Sequence, residues 1–236
     1  MPPTETTSRD VPSPSLVLLS AGVESATLLH GLARQAGPSG ARPAALFIDY
    51  GQRAADQELA HGQRLCDSLG VTLERLDIPT VGEAFRHGQT HSRHVPIPHR
   101  NLFLLATALC WAAQYWAPRR GQGMLYIALN RDDAAAHPDA APPFLDRLNA
   151  LAATLGPSRV VAPLLELGKA DIVRQGHAEG LDYTLTYSCL LGHPQHCGGC
   201  PQCHSRQRAF AEAGLAEPAD FYRRARAREA RGSSSE

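Results

Sequence analysis

Lysine is almost absent: Lys169 is the one lysine among 23 basic side chains, the others being arginine. Net charge is absent too, because 23 acidic residues balance the 23 basic ones. That balance argues against a protein held to duplex nucleic acid or anionic lipid by its overall charge. No run approaches the roughly 18 apolar residues of a membrane span. The opening stretch, MPPTETTSRDVPSPS, lacks the basic start and apolar centre of a secretion leader. The expectation is a soluble, cytoplasmic protein with neither a membrane nor a nucleic-acid partner. Hydrophobic residues make up 43% of the 236, enough for a sizeable core.

Residues 1–15 and the Arg/Ala- and Ser-rich tail 223–236 show no core-forming period and read as disordered. Between them, short apolar runs alternate with helical periodicity. Leu16–Leu19, Ala44–Ile48, Val71–Ile78, Met124–Leu129 and Arg159–Ala162 read as strands. Ser25–Gln35, Ala54–Leu69, Asn101–Trp116, Pro142–Leu155 and Gly168–Glu179 read as helices, and 79–98 as a Pro/His/Gly-rich loop. Such alternation implies an α/β domain over 16–185: a mainly parallel, doubly wound sheet with helices on both faces. Ligands of such sheets sit beyond the C-terminal strand ends, so loops 20–25, 49–53, 79–100, 130–141 and 163–169 are the ones to examine.

From 186 to 222 the alternation stops. Four of the six cysteines, Cys189, Cys197, Cys200 and Cys203, fall within fifteen residues as C-x7-C-x2-C-x2-C. Without a secretion leader, this is metal or redox spacing rather than a disulfide framework. The two-residue gaps let thiolates converge on one ion, and Gly198 and Gly199 permit the tight turns. Four thiolates suit one structural zinc per chain with no open position. An iron–sulfur cluster uses the same ligands. Cys66 and Cys110 lie within helical patterns and read as small core residues.

After the first strand, Ser20-Ala21-Gly22-Val23-Glu24-Ser25 opens a helix. Small residues there let backbone N–H groups approach an anion, and the helix N-terminus adds its dipole. It is not a Walker A loop. Serine and glycine also serve plain turns and caps, so the loop alone leaves phosphate binding open. Lys169 has two readings as well: an ordinary helix-start lysine, or a compact charge for phosphate where arginine is no simple substitute.

The stretch LLSAGVESATLLH resembles the SGGxDS pyrophosphate loop of the PP-loop ATP pyrophosphatases. Asp49-Tyr50-Gly51-Gln52-Arg53, Arg100-Asn101, Asn130-x-x-Asp133 with Pro138-Asp139, and Ala162-Pro163-Leu164 resemble one branch, the 7-cyano-7-deazaguanine synthases. So do Lys169-Ala170-Asp171-Ile172-Val173 and Tyr187-Ser188-Cys189 before the cysteine cluster, in the family order from Leu16 to about Ala213.

The resemblance implies an ATP-dependent carbon–nitrogen ligase. ATP with magnesium adenylates the carboxylate of 7-carboxy-7-deazaguanine, ammonia displaces AMP, and a second ATP drives dehydration to the nitrile. It assigns catalysis to Lys169, Ser20 and Ser25. ATP falls to Leu19, Ser20, Ala21, Gly22, Val23, Glu24, Ser25, Asp49, Tyr50 and Lys169. The deazaguanine falls to Arg100, Asn101, Asp133, His137 and Asp139. A homodimer is the assembly it suggests.

The match departs in two places. Ala21 replaces a glycine and Glu24 an aspartate. Where the family typically has Ser-Gly-Tyr-Pro-Asp-Cys-Arg, this chain has Ala135-Ala136-His137-Pro138-Asp139-Ala140-Ala141. Three readings follow: a nitrile-forming synthase; a relative that passes the activated carboxylate to another amine, a protein amine included, in a modification or defence system; and an inactive zinc-containing binding protein.

Overall fold

A computed structural model describes residues 15–37, 40–86, 97–117, 123–156, 158–217 and 221–223. The first fourteen residues, those from 224 onward and the histidine-rich stretch 87–96, all given roles or states by the sequence, lie outside the described residues.

Leu16 and Val17 are neighbours on β1 (Ser15–Leu18), point to opposite faces of the sheet, and are both fully buried. That double burial is why the strand reads as an unbroken apolar run rather than an alternating one. The other strands are β2 (Ala44–Asp49), β3 (Thr72–Asp77), β4 (Met124–Tyr126) and β5 (Arg159–Val161). Their order is β3-β2-β1-β4-β5, and every neighbouring pair is parallel. The chain winds outward through β2 and β3, then returns to the far side of β1 for β4 and β5. Winding direction therefore reverses between β1 and β4, and loops leaving those two strands diverge to open a crevice.

One face of the sheet is covered by α4 (Arg100–Trp111) and α6 (Pro142–Leu155), whose Leu105, Trp111, Leu145 and Leu148 pack on Leu16, Leu46 and Val160. The other is covered by α1 (Val23–Ala36), α2 (Ala55–Leu69) and α7 (Lys169–Ala178), with Leu29, Leu65 and Ile172 against Val17 and Ala45. Each buried leucine or isoleucine contributes about 1.5–3 kcal/mol relative to exposure. The parallel doubly wound α/β architecture expected from the sequence is the one observed.

Several local expectations need correction. The span 79–98 is not loop throughout: Pro79–Arg86 forms α3. Proline opens it because its missing N–H is free of cost at a first helical position. Gly82 disguised this helix. A Cβ there would meet Tyr50 O at 2.2 Å, so glycine is what lets α3 lie against the 50–51 turn. Within 130–141 the chain forms α5 (Arg131–Ala136) and a 3-10 turn at Pro138–Ala140. The helix expected over Asn101–Trp116 is α-helical only to Trp111 and continues as a π-helical turn, Ala112–Trp116. The strand expected over Met124–Leu129 ends at Tyr126, as the chain turns to meet the α5 cap. Cys66 is fully buried, but Cys110 is exposed, because the buried face of α4 runs through Leu105, Ala108 and Trp111.

The C-terminal segment folds back on the sheet domain. Helix α8 (Pro201–Ala213) packs on α7, with Ala209 and Phe210 against Val23 and Val173. Arg206, 1% exposed, ties the segment together. Its guanidinium donates to Glu217 Oε1 at 2.5 Å, Thr186 Oγ1 at 2.6 Å and Tyr183 O at 3.2 Å, and lies 4.5 Å over the Phe221 ring. No helix among the described residues is long and apolar enough to cross a membrane.

Candidate active site

The carboxyl ends of β1, β2 and β4 open into a cleft of about 290 Å³. Leu19, Ser20, Gly22, Glu24 and Ser25 line it from the first turn, Tyr50 and Gln52 from the second, and Arg100 and Asn101 from the start of α4. Asp133 and His137 enter from the α5 region, and Lys169 from the first position of α7. Thus each loop that the alternation singled out sends at least one residue to the same place.

The first turn is shaped by Ala21, which adopts φ +56° and is fully buried. The sequence placed a methyl where a glycine is usual; here the alanine accepts the left-handed conformation, at a strain of about 1–2 kcal/mol. The Tyr187 N–H donates to Ala21 O at 2.8 Å, which holds the turn from the C-terminal segment. Ser20 and Ser25 lie Oγ to Oγ at 3.2 Å, the Gly22 N–H donates to Ser20 Oγ at 3.3 Å, and Ser25 Oγ caps Gly22 O at 3.3 Å. These long contacts arrange two hydroxyls and the opening of α1 around one point, a geometry suited to phosphate oxygens. Ala21 and Val23 are buried behind it and do not line the cleft.

Lys169 reaches this turn across the β1–β4 reversal. Its Nζ sits 2.8 Å from Glu24 Oε1, with both side chains mostly buried. Asn130 fixes the arrangement: its Nδ2 donates to Glu24 Oε1 at 3.3 Å, while its Oδ1 accepts from Asp132 N and Asp133 N and so caps α5. The Lys169 backbone N–H donates to Asp132 Oδ2 at 3.2 Å, and the Arg131 N–H to Leu167 O at 2.9 Å. Burial and the nearby Glu24 charge push the Asp133 carboxyl above its ordinary range, against the pull of Lys169. One ammonium and two carboxylates therefore share the mouth of the first turn.

Other expected residues are engaged differently. Asp49 accepts from the Gly51 N–H at 2.8 Å, the turn-capping alternative, and does not line the cleft. Asp139 accepts from the Asn101 N–H at 2.9 Å, which pins the start of α4 to the 3-10 turn, and it too stands outside the lining. Sequence reasoning missed Glu58, Gln202 and the direct part of Tyr187 and Ser188, all of which line the cleft. Burial pushes the Glu58 carboxyl up to about 7, with Gln52 and Arg100 opposing. Burial likewise pushes the Tyr50 phenol up, against the Arg100 guanidinium beside it.

Beyond the cleft, the sulfurs of Cys189, Cys197, Cys200 and Cys203 all lie within 4.8 Å of one another, with Cys197 Sγ to Cys203 Sγ at 3.9 Å. A tetrahedron with ligand distances of ~2.3 Å has edges of roughly 3.8 Å, so the four thiols fit a closed four-sulfur metal site. Backbone N–H groups of Cys197, Gly199, Cys200 and Cys203 point at these sulfurs at 3.3–3.4 Å, the sort of donors that steady thiolates. His196 is not a ligand: its Nε2 accepts from the Ser188 N–H at 2.9 Å and its ring stacks on Phe221 at 4.3 Å.

A sequence model of the family described as queuosine biosynthesis protein QueC matches residues 14–214. The chain belongs to the QueC family. A 7-cyano-7-deazaguanine synthase of Thiobacillus denitrificans is 36% identical over 230 residues, 89% of this chain and 98% of that one. The synthase of Methanothermobacter thermautotrophicus is 34% identical over 194 residues, 75% and 87% of the two chains. That of Azoarcus sp. is 34% identical over 232 residues, 89% and 97%. Among solved structures, the U34-tRNA thiolase NcsA from Methanococcus maripaludis, with its [4Fe-4S] cluster, superposes with a TM-score of 0.52 at 15% identity, over 97% of this chain and 75% of that one. At that identity the likeness speaks to fold alone. QueC membership accounts for the family order of motifs, and these relatives carry the name 7-cyano-7-deazaguanine synthase.

Proposed function

We propose that this QueC-family protein converts 7-carboxy-7-deazaguanine to 7-cyano-7-deazaguanine with ATP and ammonia. The observation that carries the proposal is the meeting of the Ser20–Ser25 turn with Lys169, the chain's one lysine, in a single cleft at the sheet's reversal point. The names of the relatives favour the nitrile over transfer to another amine or a binding role.

A carboxylate is a poor electrophile, so its oxygen must first attack the α-phosphorus of ATP, releasing pyrophosphate and forming an acyl-adenylate. Charge builds on the departing pyrophosphate. The Ser20 and Ser25 hydroxyls, the backbone N–H groups at the start of α1 and the Lys169 ammonium are positioned to stabilise it without reorganisation. Glu24, itself held by Asn130, orients that ammonium through the 2.8 Å ion pair before nucleotide arrives. Glu24 and Asp133 are the carboxylates that would hold magnesium, whose charge neutralises phosphate oxygens when it is bound. Ammonia then displaces AMP to give the amide. A second ATP activates the amide oxygen, and loss of AMP leaves the nitrile. Arg100, at the other side of the cleft, suits the substrate carboxylate before activation.

The four cysteines are assigned to one structural zinc, which would fix the C-terminal segment and, through Tyr187, the back of the Ala21 turn. The 16–185 and 186–222 division, a homodimer and a cytoplasmic setting accompany this reading. Purified protein incubated with ATP, magnesium, 7-carboxy-7-deazaguanine and ammonium should release AMP and yield a nitrile by mass. AMP release that ends at an adduct of another amine would replace this reading, and absence of ATP turnover would end it.

A further inference from the structure

The cleft holds two separate groups of carboxylates. Asp133 and Glu24 lie in the field of Lys169, at the phosphate-binding turn. Glu58 lies elsewhere: it responds to Arg100 and Asp49, and its charge is felt by Tyr50 and Tyr187. Nothing in the adenylation chemistry just described uses it. Yet it is built into place. Gln52 donates from Nε2 to Glu58 Oε2 at 3.0 Å and to Ile48 O at 3.2 Å, and its Oε1 accepts from the Tyr50 N–H at 3.0 Å. The side-chain amide is thus clamped at three points and presents the carboxyl to the cleft. Gln52 engages Oε2, and Glu58 lines the cleft, so Oε1 is the oxygen that a ligand there would address.

A carboxylate in a mostly desolvated wall, beside the Tyr50 ring, asks for a planar partner with adjacent N–H donors. The amino-pyrimidinone edge of a deazaguanine presents that pair, the ring N–H and the exocyclic amine. Adenine presents one amine beside a ring acceptor, which a carboxylate repels. Of the two carboxylates that the resemblance gave to the deazaguanine, Asp139 is already engaged by the Asn101 N–H, and Asp133 lies in the field of Lys169 and Glu24 at the first turn.

We propose that Glu58 recognises the amino-pyrimidinone edge of the substrate and, with Gln52 as its positioning residue, sets specificity for a 2-amino base. The assignment rests on the deazaguanine reading of the same cleft. Ligand binding then favours the ionised form of a group that, raised to about 7, is only partly ionised at neutral pH in the empty cleft. The groups facing it are Asp49, which opposes ionisation, and Arg100 and Gln52, which favour it. Binding near pH 7 should therefore release protons, and affinity should rise as pH passes through about 7.

The test is calorimetric binding of 7-carboxy-7-deazaguanine, and of the analogue lacking the 2-amino group, to wild type, Glu58→Gln and Gln52→Leu, with ATP binding measured alongside. Wild type should prefer the amino ligand at least tenfold. Glu58→Gln should lose most of that preference while its ATP affinity stays within twofold, and its buffer-dependent proton release should vanish. Gln52→Leu should weaken the preference in the same direction, which covers the case that one variant fails to fold. Equal loss for both ligands, unchanged preference, or a loss confined to ATP would each overturn the assignment. Wild type that binds the amino ligand with this preference but shows no ATP turnover would sink the synthase reading and leave the recognition role standing. Wild type that binds neither ligand would sink both.

Discussion

Ala21 offers a direct measure of how much strain the turn after β1 stores. At φ +56° an alanine pays about 1–2 kcal/mol relative to glycine. Replacing it with glycine removes that strain, but forfeits one buried methyl, about 0.8 kcal/mol. It also frees the unfolded chain by about 0.5–1 kcal/mol. The terms nearly cancel, so Ala21→Gly should change stability by less than about 1 kcal/mol. Ala26, equally buried but inside α1, supplies the comparison. There the same substitution relieves nothing and should cost about 1.5–2 kcal/mol. Thermal melts of the two variants should thus be separated by several degrees, since 1 kcal/mol corresponds to about 2–4 °C in a chain of this size. ATP affinity of Ala21→Gly should be retained, because glycine only widens backbone approach. Equal destabilisation of the two variants would refute the strained turn.

Lys169→Ala should lower turnover about a hundredfold or more, and Lys169→Arg should not restore it, because a forked guanidinium cannot replace a point charge against Glu24; AMP release reads both. Metal analysis should give one zinc per chain, lost in Cys200→Ser, and chelation should lower the melting temperature; protein that folds equally well without metal would count against the site. Arg206→Met should cost about 3–5 kcal/mol because it strands the Glu217 carboxylate in a buried position, whereas Arg206→Met with Glu217→Leu should recover much of it; denaturant melts distinguish the two. For Glu58, the folded carboxyl titrates at about 7 and the unfolded one near ~4.3, so between these values the folded state holds more protons. Wild-type stability should therefore fall as pH rises from about 5 to 7, by up to about 1.4 kcal/mol per pH unit, and Glu58→Gln should flatten that slope in melts across the range.

The sheet was legible because its signals are local: Leu16–Leu19 buries both faces, and the helices between strands repeat with a clear period. The four cysteines were legible because residue type and spacing define them, whereas the first turn and Lys169 each kept a plain structural reading until the family resemblance singled them out. Glu58 was not legible, since a glutamate one turn into a helix looks like any solvated residue until Gln52, Tyr50 and Arg100 close around it. Its one sequence signal was its place just after the Tyr50-Gly51-Gln52 turn at the ligand edge. The α3 helix escaped for a similar reason: Gly82 weakens the helical pattern, and only the tertiary contact with Tyr50 O explains it. Asp139 illustrates the reverse error of emphasis, a loop carboxylate whose partner is the Asn101 backbone across the fold.

A chain with one ε-amine, lodged beside Glu24 in the cleft at the sheet's reversal point, is its own reporter. An amine-selective acylating dye has a single side-chain target here, and that target is held in an ion pair with Glu24 at 2.8 Å. Triphosphate bound across it should shield it further. Once the constant contribution of the chain's α-amine is subtracted, labelling stoichiometry follows the vacancy of that one cleft, with no background from surface lysines.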